Sequence, residues 1–368
     1  MTLRPPLRYN SLVDIQERVR RHLIAREEGL SPYACRSAAA LRDRPEPPPP
    51  WGTEFQRDRE RIVQTNAFRR LKHKTQVFLA PIGDHYMTRL THTLEVSQMG
   101  RAIARALRLN EDLVEAIALA HDLGHTPFGH VGEEVLNSLL PGGFRHAEQS
   151  LRIVEHLERQ GQGLNLTRPV REGIAHHSKP RGDFLTEIAP GLTLEAQIVR
   201  LADALAYLHH DLRDALRAGV LRLEDIPPEP LAQVGLDPTQ RTERLIGAVV
   251  EASWSATGEI PLPPGVSPRI TLPPQMHRAV VALREFMFER VYLPLGRTPE
   301  SQRARDIVAL LFHHYARHPE LLPQDGAPRD PPERRAADYV AGMTDQFAIM
   351  MAERLRPGIG EGIRWMRL

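Results

Sequence analysis

The sequence is short of the residues on which several common chemistries depend. A single cysteine in 368 residues, Cys35, excludes an internal disulfide framework and any cysteine-rich zinc site, and it fits a reducing compartment. Lysine occurs only at Lys72, Lys74 and Lys179, so almost all positive charge is arginine. The formal net charge is only +2, which does not mark a globally basic nucleic-acid binder. No apolar run approaches the roughly 20 residues of a membrane helix, and the first ten residues lack an apolar segment. A soluble, cytoplasmic protein without membrane contact is expected. Neither a GxxxxGK[ST] loop nor a GxGxxG turn is present, so phosphate would be held by side chains and metal rather than by a glycine cradle.

What the chain does have is 41% hydrophobic residues, enough for a full core, and 17 histidines. Apolar residues recur with helical periodicity, and no alternating strand pattern lasts more than a few residues. The class is mainly α. Helices are expected over 12–28, 53–71, 92–107, 111–121, 146–160, 192–218, 275–292, 301–316 and 333–351. Proline-rich breaks at 45–51, 226–238, 261–274 and 319–332 read as surface loops. The stretch 31–50 has few large apolar residues and is expected to be a mobile loop. No internal repeat is evident.

The histidines are placed informatively. His92 begins an inward stripe continued by Val96, Met99, Ile103 and Leu107. Leu113, Ile117 and His121 follow an i, i+4, i+8 spacing, so His121 ends the inner face of its helix, with Asp122 next to it. A third helix carries Val199, Asp203, Tyr207 and Asp211 at successive i+4 positions, and carboxylates on such a stripe need a partner. Two imidazoles and two carboxylates suit a divalent ion with open positions: Mn, Mg, Fe, Co or Ni. Any one of these residues alone is better explained as a core histidine or a helix cap.

Between them runs HDLGHTPFGHVGE at 121–133, with three histidines, a proline and three glycines in thirteen residues. Glycine and proline would end the helix sharply and hold His125 and His130 beside the doublet, within reach of phosphoryl oxygens. If helix resumes at His130, Glu133 lies one turn on and can orient its imidazole for proton transfer.

These segments, in this order, resemble the HD superfamily and, more narrowly, the bacterial dGTPase-like dNTP triphosphohydrolases. The likeness also rests on FQRDRERI at 55–62, AFRRLKHKTQVF at 67–78, TRLTHTLEVS at 88–97 and FRHAEQS at 144–150. QIVRLAD at 197–203, Tyr207, His210-Asp211 and ADYVAGMTDQF at 337–347 complete it. The resemblance implies a multi-helical HD-domain fold with additional C-terminal helices. It divides the chain into an N-terminal helix and loop (1–52), a metallohydrolase core (53–220) and a C-terminal region completing the nucleotide pocket and oligomer contacts (221–368).

The resemblance further implies metal ligation by His92, His121, Asp122 and Asp203, and a catalytic pair of His130 and Glu133. His125 and His146 would meet phosphates or assist proton transfer, and Arg89 would grip the triphosphate. Gln76 and Val77 would meet the deoxyribose, Gln76 through the 3′-hydroxyl. Tyr207 and Asp211 would line the phosphate and sugar end, and Tyr292 would stack under the sugar and exclude a 2′-hydroxyl. The implied reaction removes intact triphosphate from deoxynucleoside triphosphates, in a homo-oligomer such as a hexamer. Ala204 departs from the pattern, because many relatives place an acid or a lysine there, and no SAM domain is evident. Two other readings fit parts of the sequence. One is an HD nucleotidase or phosphodiesterase. The other is a nucleotide- or single-stranded nucleic-acid-binding protein with a vestigial site, suggested by the basic run at 69–74.

Overall fold

The computed structural model describes residues 12–78, 87–178, 184–185, 188–324 and 329–363. Sixteen α-helices are present among them: α1 (Leu12–Arg26), α2 (Glu54–Val63), α3 (Asn66–Arg70), α4 (Arg89–Ala106), α5 (Glu111–Ala120), α6 (His130–Leu139), α7 (His146–Arg152) and α8 (Arg168–His176). They continue with α9 (Leu194–Arg217), α10 (Pro228–Val234), α11 (Pro238–Ala252), α12 (Pro274–Met287), α13 (Leu293–Leu295), α14 (Pro299–Arg317), α15 (Pro332–Ala341) and α16 (Asp345–Leu355). No strand forms among the described residues beyond an isolated bridge between Thr75 and Thr88. The mainly α expectation holds.

The boundaries follow local chemistry. Thr53, Thr88, Asn110, Thr193 and Thr344 each accept a backbone N–H three residues on, capping α2, α4, α5, α9 and α16. Several expectations need correction. The break at 226–238 is not simply loop, because Pro228 and Pro238 each open a helix; Pro274, Pro299 and Pro332 do the same. Proline's fixed φ suits a first helical position, where its missing N–H costs nothing, so these prolines start helices. The helix expected over 53–71 divides where Thr65 caps α3, and that over 333–351 divides at Gly342-Met343-Thr344. Helix α8 had no counterpart in the sequence reading.

Two apolar clusters organise the chain. In the larger, α4, α5 and α9 pack on one another, with α2 and α8 against α5, α11 against α4 and α9, and α12 against α9. The smaller joins Phe128, Leu136 and Phe144, in and around α6, to α14, α15 and α16. The segment 31–50, expected to be mobile, is tethered by polar groups. The Arg42 side chain is buried and pairs with Glu54 and Asp58, while Ser31 N–H donates to Arg108 O at 2.7 Å. Counting apolar residues alone overlooks such anchors.

Candidate metal centre and substrate cavity

Because Thr88 caps α4, His92 falls one turn into that helix on the buried face shared with Val96, Met99 and Ile103. His121 ends α5 with its N–H donated to Ile117 O at 3.0 Å, and Asp203 projects from α9. His92 Nε2 lies 3.2 Å from Asp203 Oδ1 and 3.9 Å from Asp122 Oδ2. His121 Nε2 lies 3.4 Å from Asp122 Oδ1 and 3.8 Å from Asp203 Oδ1. Neighbouring donors about 2.1 Å from one cation lie about 3 Å apart, so His92 Nε2, His121 Nε2 and Asp203 Oδ1 could hold a shared divalent ion, with Asp122 beside them turning one oxygen toward each histidine.

The tautomers favour it. His121 Nδ1–H donates to Ala118 O at 2.6 Å, which leaves Nε2 a bare lone pair, buried and without a hydrogen-bond partner among the described residues. A buried Nε2 facing two carboxylates, with Nδ1 bonded to a carbonyl, is the arrangement of a metal-ligating histidine. Behind His92, its Nδ1 meets His210 Nε2 at 2.8 Å, and His210 Nδ1 lies 2.8 Å from Asp211 Oδ1, off the line of a straight hydrogen bond. Two lone pairs at that separation would repel, so His210 Nδ1 carries the proton. His210 Nε2 then accepts from His92, and the His92 lone pair faces the centre. Tyr292 closes this chain by donating its hydroxyl to Asp211 Oδ2 at 2.7 Å.

Burial raises the Asp122 carboxyl, but His121, His125 and Arg89 overcome it and hold the group well below the usual carboxylate range. Burial, with Arg89 and His146 nearby, pushes His125 well below an ordinary histidine, so it is a neutral imidazole at pH 7. Burial also raises Glu133, yet His146 and the bonds from His130 and His146 hold it far down as an anion.

Glu133 serves two histidines rather than the one expected. Its Oε2 meets His130 Nδ1 at 3.1 Å, and its Oε1 accepts from His146 Nδ1 at 2.8 Å and His146 N–H at 2.7 Å. His146 stacks on His125 with centroids 4.0 Å apart and planes at 15°. This stacking depends on Gly124, where a Cβ would lie 2.3 Å from both His146 O and Ser150 N. His177, overlooked in the sequence, lies 3.1 Å from His146 Nε2 through its own Nε2. The pair His176-His177 was visible as a string, but nothing local showed that α8 would deliver it here.

Residues far along the chain brace the loop at 125–129. Phe128 holds a φ of 62°, unfavourable for a side-chain-bearing residue, and Gly129 follows at 59°. Asp345, fully buried at the start of α16, accepts the Phe128 N–H at 2.9 Å and the Thr75 N–H at 3.0 Å. Lys74 is buried too, donating to His125 O and, at 2.8 Å, to Ala341 O. Burial, with Arg70 close by, pushes its ammonium down to about 7. Lys74 therefore does not belong to a basic surface, although the sequence grouped it with Arg69 and Arg70.

A cavity of about 650 Å³ opens over the centre. Gln76, Val77, Arg89, His92, Asp122, His125, His130, His146, Asp203, Tyr207 and Tyr292 all contribute to its wall. Gln76 Oε1 is buried without a partner among the described residues, an acceptor facing a substrate-sized space. Tyr207 and Tyr292 lie together, centroids 5.5 Å apart, where a π-helical turn ends α12. Arg89 is not free to reach far, since its Nη1 donates to Asp122 Oδ2 at 2.8 Å. Asp211 stands behind Tyr292 rather than on the wall. Arg284 and Arg305, which the sequence reading did not single out, do line the cavity. Another cavity, about 760 Å³, lies beyond Lys74 and contains none of the candidate site histidines or carboxylates.

Residues 89–208 match the HD domain family, and residues 270–354 match the phosphohydrolase-associated domain. A deoxyguanosinetriphosphate triphosphohydrolase-like protein of Caldanaerobacter subterraneus subsp. tengcongensis is 47% identical over 325 residues, covering 87% of this chain and 90% of that protein. One from Desulfatibacillum aliphaticivorans is 45% identical over 338 residues, covering 89% and 94%. Among solved structures, a phosphohydrolase of Bacteroides thetaiotaomicron aligns over 83% of this chain and 72% of its own, with 18% identity and a TM-score of 0.48. Identity of this degree over nearly the whole of both chains places the protein in the family of HD-domain, deoxyguanosinetriphosphate triphosphohydrolase-like proteins.

Proposed function

We propose that this chain hydrolyses deoxynucleoside triphosphates to deoxynucleoside and inorganic triphosphate, using a divalent ion held by His92, His121, Asp122 and Asp203. One observation carries the reading. A buried donor set with a bare His121 Nε2 opens onto a cavity of about 650 Å³ whose wall also holds an unpartnered Gln76 Oε1 and a tyrosine pair. That combination suits a phosphorylated sugar better than a bare phosphate. The names of the relatives support the same substrate class.

Bound there, the ion (Mn, Mg, Fe, Co or Ni) supplies Lewis-acid polarisation of a phosphoryl group and lowers the pKa of a water. The chain's own residues do the rest. Gln76 Oε1 accepts the 3′-hydroxyl, and Tyr292, with its own hydroxyl fixed on Asp211, packs under the sugar. Arg89, Arg284 and Arg305 place positive charge around the triphosphate. His130 has Nδ1 committed to Glu133, which leaves Nε2 to handle a proton at the departing 5′-oxygen. Neutral His125, stacked on His146, fits a role beside the phosphates without adding a fixed charge.

In this reading residues 53–220 carry the chemistry, and 221–368 complete the pocket and the contacts of a homo-oligomer in the cytoplasm. Binding of single-stranded nucleic acid would fall to surface arginines, since Lys74 is buried. The test is a substrate panel run in isotopically labelled water with each nucleotide, alone and mixed, under Mn and Mg. Label in triphosphate, with free deoxynucleoside released, is the expected result. Label in orthophosphate or pyrophosphate, or turnover of monophosphates or cyclic nucleotides alone, overturns the assignment.

A further inference from the structure

We propose that His210 and Asp211 are positioning residues that link the donor set to the sugar-facing tyrosine, so that the divalent ion and the deoxynucleoside bind cooperatively. This inference rests on the reading of the donor set and of Tyr292 given above.

Neither residue contributes to the cavity wall, yet both are buried. They stand side by side on α9, about two turns beyond Asp203. A carboxylate and an imidazole withdrawn this far from solvent need partners, and theirs lie in opposite directions. Asp211 Oδ2 accepts the Tyr292 hydroxyl at 2.7 Å, and His210 Nε2 meets His92 Nδ1 at 2.8 Å. A polar chain therefore runs from the cavity wall at Tyr292 to His92, one of the proposed ligands. The Tyr207 ring packs along it, with centroids 5.5 Å from Tyr292, 5.8 Å from His210 and 6.3 Å from His92. In such a low-dielectric setting each bond polarises the next.

One link is incomplete. His210 Nδ1 lies 2.8 Å from Asp211 Oδ1 but off the line of a straight hydrogen bond, so this buried N–H is unsatisfied among the described residues. A small rotation of either side chain completes it, which gives the chain two arrangements, one slack and one closed. Binding at either end favours the closed one. An ion on His92 Nε2 draws density from the ring and makes its Nδ1–H a stronger donor, which seats His210 and turns its own N–H onto Asp211. A sugar packed on Tyr292 fixes that ring and the carboxylate it holds, which presents Asp211 Oδ1 to His210. Both ligands favour the same arrangement, so each raises the affinity of the other by the same factor.

The experiment measures manganese binding to the chelator-stripped, full-length chain by calorimetry, with and without saturating 2′-deoxyguanosine, which has the sugar but no phosphate. In wild type the nucleoside should tighten manganese about fivefold or more, and manganese should tighten the nucleoside equally. Tyr292→Phe keeps the ring and loses only the hydroxyl, so it should bind manganese alone like wild type and show no coupling. His210→Phe removes the acceptor for His92, so manganese alone should bind about tenfold or more weakly and the coupling should vanish. His210→Gln has an oxygen to accept and an amide to donate, and should restore both in part. A wild type that binds manganese and nucleoside independently overturns the proposal and leaves both sites standing. Coupling that survives in Tyr292→Phe also overturns it, since the nucleoside would then act on the ion directly. A wild type that binds manganese but no nucleoside removes the sugar reading, one that binds no manganese removes the metal reading, and the proposal falls with either. If the His210 variants do not fold, wild type and Tyr292→Phe decide.

Discussion

The two ends of the cavity are built on different principles. At the end holding the proposed metal donors, His92, His121, Asp122 and Asp203 sit on or beside α4, α5 and α9, helices that pack directly on one another in the larger core. Their orientation is settled by caps, by the His121–Ala118 bond and by the chain from His92 through His210 and Asp211 to Tyr292. At the end proposed for the sugar, Gln76 sits in a loop segment whose neighbour Thr75 is held by Asp345, and Tyr292 sits in a π-helical turn held by Asp211, 81 residues away. The first end rides on mutually packed helices. The second is assembled by long-range contacts, and Asp345 is the clearest case.

The sharpest way to test that contrast is to break the metal end. Asp203→Asn removes an anionic donor, and turnover should fall by about a thousandfold or more, since a Lewis acid supplies several kcal/mol of transition-state stabilisation. Calorimetric metal titration should show the loss directly, while thermal stability without metal changes little. Residual activity near wild type would detach catalysis from this end.

Next comes the brace. Asp345→Ala strands the Phe128 and Thr75 N–H groups in the interior, and unfolding stability should drop by roughly 3 kcal/mol, the range for losing bonds to a buried carboxylate. Turnover should fall about tenfold, as seen in kcat, because the loop bearing His125 and preceding His130 relaxes. An intact kcat in a folded variant would show that the loop holds itself.

A smaller effect belongs to Gln76→Ala, expected to lower kcat/KM for deoxynucleoside triphosphates by about tenfold, one hydrogen bond's worth. The penalty should vanish with 2′,3′-dideoxynucleotides, which have no 3′-hydroxyl to lose. An equal penalty on both substrate types would remove Gln76 from sugar recognition.

The mildest test leaves the chemistry alone and reads the brace through pH. Lys74 has a folded pKa of about 7, against 10.5 unperturbed. Above about pH 7 the folded chain has released this proton while the unfolded chain keeps it, so the unfolded state binds more protons and stability rises with pH up to about 10.5. As a neutral amine Lys74 has two N–H groups, and it has two carbonyls to receive them, His125 O and Ala341 O. In Lys74→Met this slope should be missing from the difference between denaturant curves of variant and wild type. Parallel pH profiles would mean that the buried lysine stays charged.

Much of this was legible in the sequence, for a definite reason. His92, Leu113 to His121 and Asp203 to Asp211 lie on regular helices, where a spacing of three or four residues fixes which side chains share a face. The run at 121–133 announced a sharp turn through its glycines and proline. What stayed hidden was whatever depended on where a helix ends up. His177 reaches the site because α8 packs against α9. His210 looked like one more helix residue until its ring was seen against His92. Prolines that read as breaks proved to be helix starts, since composition does not distinguish the two roles at Pro228 or Pro238.

By itself the sequence determined the helical class, the family and the types of donor available, because each is written in short-range periodicity and in strings of adjacent residues. Tertiary structure alone decided that Glu133 orients two imidazoles, that Asp211 stands behind Tyr292 instead of on the cavity wall, and that Lys74 turns inward to the carbonyls of His125 and Ala341. The physical reason is that tautomers, burial and pairing are properties of a neighbourhood, and a neighbourhood drawn from residues 74 to 345 exists only once the helices have packed.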